Sequence, residues 1–429
     1  MQNLELISYS NYILLFISAI FLFLNVKKLL SNKRNIVDFI YIVFFIFYIL
    51  PIFFEEFKGK PNYNLVYFPK FRIVTSDFYT NLIYVTMMII FQVILYFNFK
   101  KKKYRNIISN VTFFKLNRFQ NILIHFVIFL PIILFFCSSE QDKLLVYGTN
   151  SVKGIVDTDY FNLIVNATNI STLCVGLLVI NKNYNLKLFL KYSLILLLNI
   201  WLNGKRNIVV LILLIFIYIL LNNKTIKLKS KLYISLLITS FLIFFNSFYL
   251  ENFKNYNNDR SEEFDYALMR IDYGRDDVLK MAIYHEINDQ YSPILEYRGQ
   301  SMLFVITAFI PRDFWPDKPL TYTGYFTSSL INEPPAFQHF GMTTGVFDEF
   351  IVNFSLILGF FISVFLIIKV LSITIKLNNI FFNLFTILVI SLLLTNDIKS
   401  YLVIHMLWII TYILLKKKII KINNLSYRK

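Results

Sequence analysis

The stretch YSNYILLFISAIFLFLNV, residues 9–26, contains no charged side chain. An apolar run of about 18 to 22 residues, coiled as an α-helix, is long enough to cross the hydrocarbon core of a bilayer. Comparable runs recur along the chain of 429 residues, of which 57% are hydrophobic and 18% aromatic. A soluble protein of this length cannot keep so many apolar side chains away from water. The sequence therefore predicts an all-α polytopic membrane protein.

We expect about 11 membrane-spanning helices from the positions of these runs. The first helix is predicted to be retained, because the N-terminal MQNLELISYS carries Glu5 and no basic residue before its apolar run, unlike a cleaved signal. The helices form a first group within 1–250 and a last group, with a basic tail, within 350–429, separated by a long connection at 251–349. The predicted spans are 9–26, 35–54, 78–99, 119–138, 161–181, 187–203, 207–223, 231–250, 350–370, 378–395 and 400–415.

Lys and Arg residues are distributed unevenly between the predicted connections. The formal net charge is +17, and most basic residues fall in alternate connections such as KKKKYR (100–105) and in the tail KKKIIKINNLSYRK (416–429). Short cytoplasmic loops retain positive charge, which predicts an external N-terminus, a cytoplasmic C-terminus and an extracytoplasmic 251–349. Because the basic runs are dispersed over separate loops, they indicate contact with anionic membrane lipid and not with nucleic acid.

The stretch WLNGKRNIV, residues 201–209, places Lys205 and Arg206 in a very short connection on the predicted outer face. One interpretation is that both side chains extend to the headgroup phosphates of nearby lipids. However, the pair begins a helix, where the dipole is already positive and gains nothing from further cations. Gly204 also leaves room for a ligand to approach the backbone. Cations, free N–H groups and glycine at a helix start suit a diphosphate.

The first part of the long connection, residues 260–289, reads as two helical segments that are broken at Gly274. Ser261, followed by two glutamates, is a typical helix start. Arg270 and Arg275 flank the break. They are interpreted either as partners in salt bridges or as residues that bind substrate; the acidic partners in the first case are Asp272, Asp276 and Asp277.

The next part, SMLFVITAFIPRDFWPDKPLTYTGYF (301–326), begins with an apolar run that is too short to span a bilayer. We expect it to lie in the membrane interface or to re-enter the membrane. Three prolines then prohibit a helix. A rigid lid accounts for the prolines, but the two cations between them, Arg312 and Lys318, indicate an anion site.

The connection ends with EPPAFQHFGMTTGVFDEFIVNF (333–354), in which His339 is expected to be exposed. Asp348 and Glu349 open the following span. Two acids at a helix N-terminus complement its dipole; the other interpretation is a carboxylate base that faces the cation-lined region. Glu55 and Glu56 in the first outer loop are a weaker candidate for a catalytic acidic pair.

Three motifs, GKRN (204–207), IPRDFWPDKP (310–319) and GMTTGVFDEF (341–350), stand in a chain with many spans and one long outer loop before its final helices. In these features the chain resembles the Wzy-type polymerases, which join oligosaccharide repeat units in O-antigen and capsule pathways. The resemblance implies a GT-C-like fold in the bacterial inner membrane and an undecaprenyl-diphosphate-linked oligosaccharide as donor. It also implies transfer to a sugar hydroxyl at the outer face without metal or other cofactor, and a chain-length regulator protein as a further partner.

This chemistry suggests a role for each candidate residue. Cleavage of a glycosyl–diphosphate bond needs positive charge on the departing diphosphate, assigned to Arg206 and Arg312 with support from Lys205 and Lys318. The acceptor hydroxyl needs a base, for which Glu349 is the first choice. The alternatives are an O-antigen ligase that transfers glycan to lipid A–core, favoured by His339, and a flippase for lipid-linked oligosaccharide. The remaining candidates are His339 and Asp348 as bases, and Arg270, Arg275, Trp315 and Asp317 as substrate-binding residues.

Overall fold

The structure is a computed structural model in which the described part of the chain is helical and contains no strand. The described residues are 2–30, 35–100, 118–139, 141, 144, 158–181, 186–203, 207–223, 226–227, 229–231, 233–234, 236–237, 240, 261–288, 293–335, 341–377 and 379–417. The helices are α1 Gln2–Leu30, α2 Ile36–Lys58, α3 Lys70–Ser76, α4 Phe78–Lys100, α5 Arg118–Cys137, α6 Thr158–Asn181, α7 Leu186–Lys191, α8 Ser193–Asn203, α9 Asn207–Asn222, α10 Glu262–Tyr273, α11 Asp276–Ile287, α12 Gln300–Ile306, α13 Tyr322–Ile331, α14 Val346–Phe354, α15 Leu356–Leu377, α16 Ile380–Thr395 and α17 Leu402–Lys416.

Seven of these helices are long and apolar enough to cross a membrane, which confirms the prediction of a polytopic membrane protein. Shorter apolar helices occupy three further predicted spans, and the span predicted at 231–250 lies mostly outside the described residues. The number of 11 spans, the orientation and the GT-C-like fold therefore stay predictions. The seven long helices are Glu5–Leu30, Ile36–Lys58, Phe78–Lys100, Arg118–Cys137, Leu163–Asn181, Leu356–Leu377 and Lys399–Lys416.

Contacts divide the chain into two compact units, each built from separate segments. The three predicted groups, 1–250, 251–349 and 350–429, divide the chain by sequence position alone. This division stays a prediction. The first unit consists of Met1–Tyr104, Asp259–Ile373 and Val389–Leu402, and the second of Arg105–Asn258, Thr374–Leu388 and Val403–Lys429.

In the first unit, α11 lies among α3, α4 and α14. The predicted break at Gly274 is confirmed, because α10 ends before it and α11 begins just after it. A Cβ atom at Gly274 would lie 2.6 Å from the carbonyl oxygen of Arg270, so only glycine fits this close approach. Ser261 is the N-cap of α10, as predicted, and accepts a hydrogen bond from the backbone N–H of Phe264. The break thus turns the chain so that α11 enters the core.

Helix α2 of the first unit is interrupted by a π-helical turn at Phe45–Ile49. The backbone N–H of Arg275, at the break between α10 and α11, donates to the carbonyl oxygen of Phe47 at 3.0 Å. The Arg275 guanidinium also lies 5.8 Å from the centre of the Phe47 ring. π turns are rare and often occur at functional sites. Here the turn anchors the segment that carries the charged residues of α10 and α11.

The second unit is formed mainly by α5, α8 and α9 against α6. Asn199 of α8 donates to the hydroxyl oxygens of Ser171 and Thr172 on α6, at 3.0 and 3.2 Å. One turn later, Asn203 donates to the hydroxyl oxygen of Thr168 at 2.7 Å. Such side-chain hydrogen bonds hold helices together in an apolar environment.

Candidate functional site

The short helix α12 brings charged residues of the long connection beside residues that precede the last helix. Its Ser301 donates to Glu349 of α14 at 3.4 Å. One turn further along, the ring of Phe304 lies under two ammonium groups, those of Lys318 at 4.7 Å and Lys399 at 5.6 Å from the ring centre. As predicted, the apolar run at 301–310 does not span, because α12 has seven residues.

The segment after α12 is non-helical, as its prolines predict, and its two cations organise its backbone. The Lys318 ammonium donates to the carbonyl oxygens of Ala308 and Ile310, at 3.3 and 2.8 Å. Without a helix, these carbonyls need other donors. The Arg312 guanidinium serves a second group of carbonyls, those of Pro316, Lys318 and Pro319, at 3.4, 2.8 and 3.0 Å. A rigid segment therefore accounts for these cations as well as for the prolines, and their assignment as an anion site stays a prediction.

The carbonyls are neutral, so the hydrogen bonds of Arg312 and Lys318 add no ion pair. Among the described residues, no carboxylate lies within 4 Å of Arg312, Lys318 or Lys399. The pKa of Lys318 is lowered, first by desolvation and then by the positive charges of Arg312 and Lys399. Lys318 is buried, Lys399 is half-buried and Arg312 is exposed. We call these three residues the cation cluster. A lysine whose pKa is lowered by burial and by two neighbouring cations marks a candidate functional site.

Buried carboxylates at the start of α14 contact the segments that carry the cation cluster. Glu349 is 1% exposed, and its second oxygen accepts the backbone N–H of Ile398 at 3.0 Å. Burial, followed by the neighbouring charge of Asp397, raises the pKa of Glu349 well above its ordinary value. Asp348 caps α14 through the N–H of Gly345 at 2.9 Å, and burial raises its pKa to about 7. Both acids therefore favour the protonated form more than an exposed carboxyl does.

Asp397 completes this group of acids and is 3% exposed. One of its oxygens accepts the hydroxyl of Ser400, and the other has no hydrogen-bond partner. Lys399 follows two residues later. An acid with a free oxygen thus lies in the same short connection as a member of the cation cluster.

A second set of charges, the ion network, consists of Glu55, Arg270, Asp276, Asp277 and Lys280. One nitrogen of Arg270 lies 2.8 Å from Asp276, 2.9 Å from Asp277 and 3.5 Å from Glu55. Lys280 lies 3.8 Å from Asp276 and 3.9 Å from Glu55. All five side chains are buried. For Arg270, the interpretation as a salt-bridged residue therefore describes the structure, with Glu55 as a partner that the sequence did not indicate.

The ion network contains more acids than bases, which affects Asp277. Burial and the neighbouring Asp276 raise the pKa of Asp277 to about 6, although Arg270 opposes the shift. The Tyr63 hydroxyl donates to Asp277. Arg270, surrounded by carboxylates, has its own pKa raised well above the ordinary value despite desolvation. One guanidinium thus stays charged beside Asp277, the acid of the network whose pKa is raised.

The weaker candidate pair, Glu55 and Glu56, has separate partners. Glu55 belongs to the ion network, whereas Glu56 accepts a hydrogen bond from the side chain of Asn11 at 2.8 Å. The two carboxylates of this pair are therefore directed to different neighbours.

The other predicted residues occupy three kinds of position. Arg275 is buried and donates to the backbone carbonyls of Gly274, Asp272 and Thr395. Trp315 is half-buried, and Asp317 is exposed. Lys205, Arg206 and His339 lie outside the described residues, so their assignments stay predictions.

Sequence reasoning did not single out Asp397, Lys399 or Lys280. A signal for the first two existed, because the predicted spans 378–395 and 400–415 leave only NDIK (396–399) between them. Charged residues in so short a connection are a signal of the same kind as the Lys205–Arg206 pair. Lys280 gave no comparable signal, since it stands in an ordinary amphipathic helix.

The chain matches no protein-family model, no curated protein and no solved structure.

Proposed function

We propose that the protein is a repeat-unit polymerase that transfers a glycan from an undecaprenyl-diphosphate carrier to the next lipid-linked repeat unit at the outer face of the bacterial inner membrane. The observation that supports this proposal best is the uncompensated cation cluster beside buried carboxylates. A glycosyl transfer from a diphosphate needs these two functions, an electrostatic partner for the leaving group and a proton acceptor.

In the proposed step, the bond between the anomeric carbon and the diphosphate oxygen breaks, and the acceptor hydroxyl oxygen bonds to that carbon. The bond electrons leave with the lipid diphosphate, whose charge Arg312, Lys318 and Lys399 stabilise. Guanidinium and ammonium groups supply this stabilisation without a metal. Arg206 and Lys205 keep their predicted role as further diphosphate ligands.

The hydroxyl proton passes to a carboxylate. We propose Asp397 for this role, because one of its oxygens has no hydrogen-bond partner, whereas both oxygens of Glu349 accept hydrogen bonds. Glu349, with its raised pKa, serves as a neutral neighbour that limits the negative charge around Asp397. Asp348 and His339 remain the alternative bases.

The surface of the same segment suits a lipid-borne donor. Ile306, Phe309 and Phe314 are exposed by 69%, 79% and 84% of their side-chain surface. Large apolar side chains at such exposure are typical of segments in the membrane interface. A diphosphate headgroup bound by the cation cluster would keep its polyprenyl chain in lipid beside these residues.

Lys399 separates binding from support of the backbone, because within the described part of the chain its ammonium makes no backbone hydrogen bond, unlike Arg312 and Lys318. We expect Lys399→Gln to abolish long-chain glycan at an unchanged protein level, and Lys399→Arg to retain most of it. Lys376→Gln, which removes an exposed lysine of α15, is the matched control. The readout is the chain-length profile of surface glycan on a gel; a wild-type profile from Lys399→Gln would contradict the proposal.

The location of the accumulated intermediate separates the polymerase from its alternatives. A deletion strain should accumulate single repeat units on the outer leaflet if the protein is a polymerase. Accumulation on the inner leaflet would indicate a flippase. Long lipid-linked chains that fail to reach lipid A–core would indicate a ligase.

A further inference from the structure

A cavity of about 190 Å³ lies at the end of α1 that carries Lys27 and Lys28, between the start of α2 and the end of α4. The charge pattern predicts that this end faces the cytoplasm, opposite the long connection. The proposed transfer uses none of its residues. Its volume is below the roughly 300 to 1,000 Å³ of pockets for drug-sized molecules, and therefore suits a small headgroup.

The inner part of the cavity is polar and held in place by hydrogen bonds. The Tyr41 hydroxyl donates to the side-chain oxygen of Gln92 at 2.7 Å. The Gln92 amide donates in turn to the hydroxyl of Ser18 at 2.9 Å. Asp38, which is 2% exposed, accepts the backbone N–H of Asn35 at 2.7 Å. A fixed carboxylate and amide thus form a preorganised wall.

The outer part of the cavity carries two ammonium groups. Those of Lys28 and Lys100 lie 5.4 and 5.3 Å from the centre of the same aromatic ring, that of Tyr96. Both lysines and Tyr96 line the cavity. A phosphate group in the cavity can therefore contact both ammonium groups through charge-assisted hydrogen bonds. Lys28 also lies within electrostatic reach of Asp38.

We propose that this cavity binds the headgroup of a membrane glycerophospholipid. The phosphodiester lies at Lys28 and Lys100, and a hydroxyl or ammonium group of the headgroup donates to Asp38. Phe21, Leu95 and Phe99, which also line the cavity, contact the glycerol and the first acyl carbons. The combination of two cations, one buried carboxylate and an apolar rim matches the order of groups in such a lipid.

The test compares lipid binding to the purified full-length protein by native mass spectrometry and by thermal shift. The probes are phosphatidylglycerol, phosphatidylethanolamine, and the water-soluble glycerol 3-phosphate. We expect the double variant Lys28→Gln/Lys100→Gln to bind the lipids about 30-fold more weakly, because each lysine near an anionic surface contributes about 1 kcal/mol. Lys27→Gln, which removes an exposed charge from the same helix end, should bind like the wild type.

A second variant tests whether lipid binding needs the space inside the cavity, with the charges of Lys28 and Lys100 unchanged. Val37→Phe fills the cavity from its wall and keeps both lysines, so we expect it to lose the lipid while its melting temperature without lipid stays near that of the wild type. Binding of the lipids but not of glycerol 3-phosphate supports the proposal. Equal binding of all three probes would show that the site recognises a free phosphate and not a lipid. Equal lipid binding by the wild type and the double variant would overturn it.

Discussion

The ion network and the cation cluster use the same residue types for opposite purposes. In the network, Arg270 and Lys280 are buried, and carboxylates lie 2.8 to 3.9 Å from them. In the cluster, Arg312 is exposed, and it and Lys318 donate to neutral carbonyls. A buried charge whose partner is already present stabilises the fold or costs little. A charge without a counterion remains available for a ligand.

The two regions are also stabilised by different interactions. The network links α2, α10 and α11 of the first unit through charges, so its loss affects the fold. The cluster is supported by the carbonyls and prolines of its own segment. Substitutions in the two regions should therefore separate stability from activity.

The largest expected effect is that of Arg270→Met, which removes the central cation and keeps a similar volume. It leaves Glu55, Asp276 and Asp277 without their main partner, and breaking a buried ion pair in this way costs about 3–5 kcal/mol. We expect loss of folded protein, measured by size-exclusion chromatography and thermal unfolding in detergent.

Two variants control this prediction. Arg298→Met removes a cation of which 55% is exposed and which holds Glu286 through two hydrogen bonds of 2.8 Å; we expect a smaller loss of stability than for Arg270→Met, because an exposed pair contributes less than a buried one. Arg270→Met/Asp277→Asn should recover part of the folded protein, since one uncompensated charge is removed. A stable Arg270→Met variant would show that the network is not what holds these helices.

In the cation cluster, Arg312→Ala should lower the rate of polymer formation about 100-fold, as the loss of a preorganised donor to a developing anion does. Arg312→Lys keeps the charge but loses the planar fork, so we expect an intermediate rate. Polymer formation is followed with purified lipid-linked repeat units, and protein level by immunoblot. If Arg312→Ala forms polymer at the wild-type rate, the guanidinium only supports the segment.

The sequence predicted these regions unequally, for physical reasons. The break at Gly274 and the non-helical segment 311–319 follow from local backbone preferences, which a sequence displays directly. Salt bridges of Arg270 with Asp276 and Asp277 were one of two open interpretations, because these residues are neighbours along the chain. Glu55 and Lys399 joined their clusters through contacts between distant segments, and no local pattern encodes such contacts.

The apolar runs illustrate the same limit at the level of the whole chain. Seven of them form helices of spanning length, because hydropathy alone determines this property. The short helix Ser193–Asn203 covers only part of the span predicted at 187–203. A turn at Tyr192 separates α7 from α8 in this span. A hydropathy profile does not show such a turn.

A smaller effect is expected from Tyr63→Phe, which tests how far the ion network depends on neutral donors. The variant removes the hydroxyl that donates to Asp277 and leaves a buried acceptor with one partner fewer, at a cost of about 1–3 kcal/mol. Tyr67→Phe, at an 84% exposed tyrosine, should be neutral. Thermal unfolding measures both, and equal melting temperatures would show that Arg270 alone satisfies Asp277.

The smallest effect at neutral pH is expected from Asp348→Asn, which examines a buried acid beside Glu349 and outside the ion network. Because burial raises the pKa of Asp348 from 3.8 to about 7, the folded state holds its proton more tightly than the unfolded state. This contribution to stability is full below about pH 4 and is lost as the pH rises towards about 7. The asparagine variant keeps the cap on Gly345 and has no such group, so its stability relative to the wild type should increase over this interval. Melting temperatures from pH 4 to pH 8 measure the difference, with Asp317→Asn as the exposed control. Parallel profiles for the wild type and Asp348→Asn would mean that Asp348 is charged in the folded protein throughout, as an acid with a close cation would be.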